Sequence, residues 1–327
     1  MLATAEGMVM VDCAWKACLR VIALSLFMGG ASVCSGCASS FDEPLDADCD
    51  LRIVQTDTGV RMLRDGKVLW NLEIETPEGR PYFHPLALPS GRIFTDLRPA
   101  DHIWHLGYWF SWKYINGVNY WEPADQKRKG CEPEGRTRVV GKSVSVRGSD
   151  CRIQLNLGYG PRNAKSPVLS EARDVTIDSS DSNGGYSITV WHRFTALADV
   201  TFDRTPPHGS VASGRWGGGY AGATLRLAAD AASAFDVSGS GGGATPAECN
   251  AVERKYLDFS NPKSGEGVMF EQLKAPDSAR FYLWPDKRMI NPSPVYTAPV
   301  RLRSGETMEL GYRLAVHADK CVGRASD

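Results

Sequence analysis

Three of the six histidines of this 327-residue chain fall between residues 84 and 105. Around them run Pro81-Tyr82-Phe83-His84-Pro85, Pro89-Ser90-Gly91-Arg92 and Pro99-Ala100-Asp101-His102-Ile103-Trp104-His105, continuing to Trp109 and Trp112. No other stretch is as dense in His, Asp, Arg and aromatic residues. Imidazoles exchange protons near neutral pH and can ligate metals. Flat aromatic rings stack on the apolar faces of sugars, while Asp and Arg hydrogen-bond hydroxyls. The mixture suits a carbohydrate or small polyol.

His102 and His105 are candidate catalytic groups, with Asp101 orienting an imidazole. Residues i and i+3 of a regular strand face opposite sides. The two rings therefore converge only if a turn or bulge intervenes, and Pro99 and Gly107 flank a segment able to make one. A metalloprotease reading needs a helix and a Glu between the histidines, and both are lacking. No cofactor is expected; a metal would have to be held by His84, His102 and His105.

Two more carboxylates qualify as general base. Glu122 follows the hairpin at 114–121, and Glu171 stands two residues from Arg173, so both side chains share one strand face. A surface ion pair is the alternative for Glu171 and Arg173. His84, Arg92, Trp104, Trp109, Arg173, His192 and Tyr220 are candidate substrate contacts. His192 lies on an apolar face and is by default a buried, hydrogen-bonded histidine. Trp216-Gly217-Gly218-Gly219-Tyr220 lacks the Gly-Lys-Ser/Thr of a phosphate loop and reads as close packing or a ligand loop. His208 and His317 carry no expected site role.

The elements that must hold these groups read as strands. Asp65-Gly66 and Asn116-Gly117 join alternating runs, as two-residue type I′ hairpins require. Cys151, Ile153, Leu155, Leu157 and Tyr159 alternate with polar residues, as do Met308, Leu310, Tyr312, Leu314 and Val316. Ile188, Val190, His192 and Phe194 share a face, with Trp191 and Leu197 on the other, so that strand is expected to be covered on both sides. Ala228 to Phe235 is the one helical candidate. With 33 glycines and 19 prolines, the pattern predicts an all-β chain, a large antiparallel two-sheet sandwich.

Composition narrows the function classes. A net charge of -1 gives no basic excess for nucleic acid. Lys16 and Arg20 precede an apolar run from Val21 to Val33, shorter than the ~20 residues of a membrane span. Small residues then precede Cys37. Residues 1–37 read as a lipoprotein-type signal peptide with Cys37 lipidated, 38–50 as a linker, 51–318 as the β-sandwich domain and 319–327 as a tail. The chain is expected to be exported and to face the periplasm or cell surface, touching membrane only through its anchor. Cys49, Cys131, Cys151, Cys249 and Cys321 lack zinc-site spacing, and export permits a disulfide without assigning one.

Phe83-His84-Pro85, Pro89 to Arg92, Pro99 to His105, Asn116-Gly117-Val118 and Trp121-Glu122 resemble the PmoA-like family. So do Glu171-Ala172-Arg173, Gly218 to Gly222 with Arg226, Lys255 to Phe259, Gly305-Glu306 and Tyr312-Arg313. The resemblance spans roughly 55 to 318, with Leu106 and Ile103 departing from the common arginine and proline. The family's methane-oxygenase label implies a metal-dependent oxygenase, yet a methane monooxygenase subunit needs long apolar helices that this sequence does not show after its leader. By analogy the resemblance implies a galactose-mutarotase-like supersandwich and a carbohydrate-active enzyme of epimerase, hydrolase or lyase type. The alternative is a non-catalytic glycan-binding lipoprotein.

Overall fold

The computed structural model describes residues 51–122, 134–179, 183–210, 215–233, 236–241 and 245–319. The leader, Cys37, the linker and Cys49, Cys131 and Cys321 lie outside the described residues. Cys151 and Cys249 are buried free thiols.

Two eight-stranded antiparallel sheets make the domain. The first runs, in spatial order, Leu51–Gln55, Gly59–Arg64, Lys67–Glu73, Tyr82–Leu86, Tyr108–Ser111, Gly222–Arg226, Met289–Ser293 and Arg280–Trp284. The second runs Asp236–Gly239, Tyr256–Ser260, Gly267–Lys274, Thr307–His317, Tyr186–Ala196, Leu169–Asp178, Asp150–Pro161 and Gly135–Arg147. A smaller four-stranded sheet includes Tyr114–Ile115 and Val118–Asn119. The expected all-β sandwich is what forms.

Period-two alternation explains the layers. Cys151, Ile153, Leu155, Leu157 and Tyr159 are each at most 1% exposed, while Arg152, Gln154 and Asn156 between them face water. The inward faces of both sheets merge into one core, where Tyr108 of the first sheet meets Phe270 of the second edge to face, ring centres 5.5 Å apart. Both predicted hairpins form, with Asp65 and Gly66 at φ 51° and 75° and Asn116 and Gly117 at 51° and 74°. That is the left-handed pair a type I′ turn demands.

One expectation needs correction. Trp191 is 42% exposed, so its strand is covered on one face only. Its ring lies flat on the outer face of the second sheet over Gly311, the residue paired with it, where an added Cβ would meet the indole at 2.6 Å. The helix expected over 228–235 is described as Ala229–Ser233. No described helix is long and apolar enough to cross a membrane.

The first sheet carries a second, smaller apolar cluster on the face turned away from the second sheet. It contains Tyr82, Leu106, Trp109, Trp121, Tyr282 and Met289. Alternation again decides this: Tyr108 and Phe110 point into the main core, so Trp109 points out. The loop holding the His pair lies on this face.

Candidate functional site

The segment from Asp96 to Gly107 is a closed loop laid on the outer face of the first sheet. An antiparallel bridge between Leu97 and Leu106 and the bond from Arg98 N to His105 O (2.8 Å) close its base. Two successive turns, His102 N to Pro99 O and His105 N to His102 O, both 2.9 Å, fold its tip. Asp96 N donates to Arg226 O, and Arg226 N donates to Gly107 O, which stitches the loop to the neighbouring strand. Gly107 makes that seat possible. Its φ is +71°, and a Cβ there would fall 2.4 Å from Phe83 O. Arg98, at the closing point, also takes a left-handed backbone, φ 52°.

The double turn brings the two imidazoles together, ring centres 4.8 Å apart. His105 is 1% exposed and half-ringed by aromatics, with Trp109 at 5.2 Å and Trp104 at 6.3 Å. Its Nδ1 faces Arg226 Nη1 at 3.3 Å, so Nδ1 is the acceptor and stays unprotonated. Burial first, then the charges of His102 and Arg226, hold its pKa down to about 2. It is a neutral, structural ring rather than a proton shuttle, which corrects its expected catalytic part.

His102 is different. It is half-buried, packed edge-on against Trp104 (5.1 Å) and Trp284 (5.4 Å). Its Nδ1 stands 3.1 Å from Asp101 Oδ2, a charge contact rather than an aligned hydrogen bond. Burial lowers its pKa and Asp101 opposes that, leaving a net downward shift. Asp101 is itself locked by Lys287 (2.9 Å) and by Arg226 (3.0 Å), which is 1% exposed. Burial would raise the Asp101 carboxyl, but these cations and His102 hold it far below the usual range. Arg226 appeared in the sequence only as part of a resemblance, and Lys287 and Trp284 gave no signal. They lie more than 110 residues from the loop, and only sheet pairing brings them in.

From His105 an aromatic strip leads across the face to the second acid. Trp109 meets Trp121 at 5.7 Å, Trp121 meets Tyr220 at 4.9 Å, and Tyr220 Oη donates to Glu122 Oε1 at 3.4 Å. Glu122 is also bound by Lys113 Nζ at 2.5 Å and Asn119 Nδ2 at 2.8 Å. It belongs to the same face as His102 but is an anchored counter-ion, not a free base. Trp104, Trp109 and Tyr220 thus share this face with His102, Trp109 as a buried ring 2% exposed.

The other candidates do not join. Glu171, Arg173 and His192 are 2%, 6% and 2% exposed and lie between the two sheets, behind the strand Tyr108–Ser111. Glu171 Oε1 accepts from Arg173 Nε (2.6 Å) and pairs with His192 Nδ1 (2.7 Å); Tyr159 Oη donates to Glu171 Oε2. Period-two alternation aims these side chains at the main core, the odd positions on one strand and the even positions on the next. Arg92 pairs with Asp230 at 3.3 Å and Glu266 at 3.7 Å, apart from the His pair. His84 Nδ1 bonds Thr95 Oγ1 at 2.9 Å instead of turning to His102 and His105. Among the described residues no three His, Cys, Asp or Glu side chains are grouped as metal ligands, so His84, His102 and His105, the set a metal would have needed, do not assemble.

Beyond Trp104 the same face opens into a cleft of about 300 Å³, walled by Trp104, Trp121 and Glu122 and by Arg80 and Arg98.

The search of curated proteins gives no match. Among solved structures the chain is similar to an α-galactosidase from Lactobacillus brevis, at 7% identity and TM-score 0.40, over 83% of this chain and 39% of that one. It is similar to an α-galactosidase from Geobacillus stearothermophilus at 8% identity and TM-score 0.39, over 82% and 40%. It is also similar to the Slr1438 protein of Synechocystis sp. PCC 6803, at 9% identity and TM-score 0.36, over 88% and 100%. The chain spans about two fifths of the length of those galactosidases. The family model that matches, over residues 59–325, overturns the PmoA-like assignment and the oxygenase label that came with it. By that match the chain belongs to DUF6807, a family of unknown function.

Proposed function

We propose that this face is a carbohydrate site in which His102 moves a proton to or from a sugar or polyol. The observation that carries the reading is the Asp101–His102 pair set between the indoles of Trp104 and Trp284 at a half-open position. Asp101 beside Nδ1 favours the tautomer with its proton there, which leaves Nε2 as the acceptor. A lowered pKa keeps the ring neutral near pH 7, in the form a general base needs. When Nε2 takes a hydroxyl proton, the imidazolium formed is stabilised by the adjacent Asp101 carboxylate. The two indoles supply apolar faces for a sugar ring. The leader reading adds that the protein works after export, tethered through Cys37.

A second reading, a glycan-binding protein without turnover, is favoured by one observation. The two candidate carboxylates on this face are neutralised, Asp101 by Arg226 and Lys287 and Glu122 by Lys113. No second free acid stands beside His102 among the described residues.

A panel of neutral and acidic oligosaccharides, scored for turnover and for binding, separates the two. Loss of turnover in His102→Ala with binding retained supports catalysis. Binding without turnover in the wild type, lost in Trp104→Ala, supports the binding protein. Neither binding nor turnover on any member refutes both.

A further inference from the structure

The cleft beyond Trp104 has a charge pattern that the His102 site does not explain. Arginines 80, 98, 136 and 162 and glutamates 78, 122 and 134 all line it. Three of these carboxylates already have a cation. Glu78 is paired with Arg98, Glu134 with Arg162 at 2.7 Å, and Glu122 with Lys113. Two arginines remain without an ion pair to a described carboxylate, Arg80 and Arg136.

Arg80 is the informative one. It is 4% exposed, and its hydrogen bond goes from Nη1 to the carbonyl of Trp121 at 2.8 Å. A buried guanidinium ordinarily has a carboxylate against it, because leaving its charge desolvated and uncountered is costly. Burial pulls its pKa down to about 10, against the more distant attraction of Glu78 and Glu122, so the group remains a cation at neutral pH. A cation without a described carboxylate against it, in a cleft walled by the half-buried Trp104, matches a sugar that carries an anionic substituent.

We infer that this cleft is an acidic-sugar subsite, in which Arg80, assisted by the exposed Arg136, holds a carboxylate or sulfate of the glycan. This rests on the carbohydrate reading above and narrows it to anionic glycans. Trp104 stands between the two parts of the face, so one sugar residue lies at His102 and the charged one beyond it. Arginine suits the task because its planar fork meets two oxygens at once.

The test uses the whole protein and tryptophan fluorescence titration with three matched oligosaccharides: neutral, oxidised to a uronate at C6, and sulfated at C6. At least one anionic form should bind tenfold or more tightly than the neutral one, with affinity falling as salt rises. Preference for the uronate alone identifies a carboxylate, and preference for the sulfate alone identifies an ester. Arg136→Gln, at an exposed position that the fold does not need, should cut the preference at least threefold, and Arg80→Gln should abolish it. Arg80→Lys, keeping the charge, should restore part of it and also controls for a folding defect. Arg193→Gln, on the outer face of the second sheet, should leave the preference intact. Equal or tighter binding of the neutral glycan overturns this inference while the carbohydrate reading stands. No binding of any of the three overturns both.

Discussion

Two places in this molecule combine a histidine, a carboxylate and an arginine, and they behave in opposite ways. Glu171, Arg173 and His192 are sealed between the sheets with every charged group facing another. Asp101, His102, His105 and Arg226 sit on the outer face, where Asp101 is 37% exposed by side chain and His102 14%. The chemistry of the side chains is the same. Access to water separates a structural triad from a site, because a group that ligand and solvent cannot reach has no substrate to act on. In the sealed triad burial would raise the Glu171 carboxyl, but Arg173 and His192 hold it well below its ordinary value.

This contrast can be broken or sharpened by experiment. The largest expected effect is Arg173→Met. It leaves the Glu171 charge buried beside a neutral histidine, and stability should fall by about 3–5 kcal/mol in chemical denaturation. A midpoint close to wild type would show that the triad is not sealed.

The next is the acid sensitivity contributed by His105. Unfolded, the ring takes a proton as pH falls below about 6.5, while the folded ring refuses it until about 2. Stability should therefore drop on acidification, by up to ~1.4 kcal/mol per pH unit from this one group. His105→Gln should flatten the slope between pH 6.5 and 4.5. His84, His102 and His192 are shifted the same way and His317 the opposite way, so the difference between variant and wild type isolates His105. Below about 4.5 the depressed Glu171 adds a further loss in the same direction. An unchanged slope would mean that water reaches His105.

Asp101→Asn should cost about 1–3 kcal/mol, because Asp101 is 37% exposed by side chain but its partner Arg226 is buried and loses its carboxylate, and it should remove the carboxylate that steadies protonated His102. The smallest effect on stability is that of His102→Ala, within ~0.5–1 kcal/mol by thermal melting, together with the loss of turnover expected of the base. A large destabilisation there would move His102 to the structural side of the comparison.

Much of the fold was legible because strand alternation and turn chemistry are local. Cys151 to Tyr159 announced a one-sided strand, and Asp65-Gly66 and Asn116-Gly117 announced turns whose left-handed backbone only a few residue types accept. The site was legible in part. Asp101, His102, Trp104 and His105 are neighbours in sequence, and the need for a turn followed from strand geometry. Glu171, Arg173, His192 and Arg92 passed the same test of residue type and went elsewhere. Type does not report which face of which sheet a side chain joins.

The sequence by itself determined the strands, the turns, the amphipathic faces and the concentration of chemistry between residues 99 and 109, since each depends on a few consecutive residues. Tertiary structure alone decided which face is sealed and which is open, because sheet order sets it. It seated Arg226, Lys287 and Trp284 around a loop more than 110 residues away, and it buried Arg80 without an ion pair to any described carboxylate. Those outcomes depend on long-range pairing and on water exclusion, which no local window of residues contains.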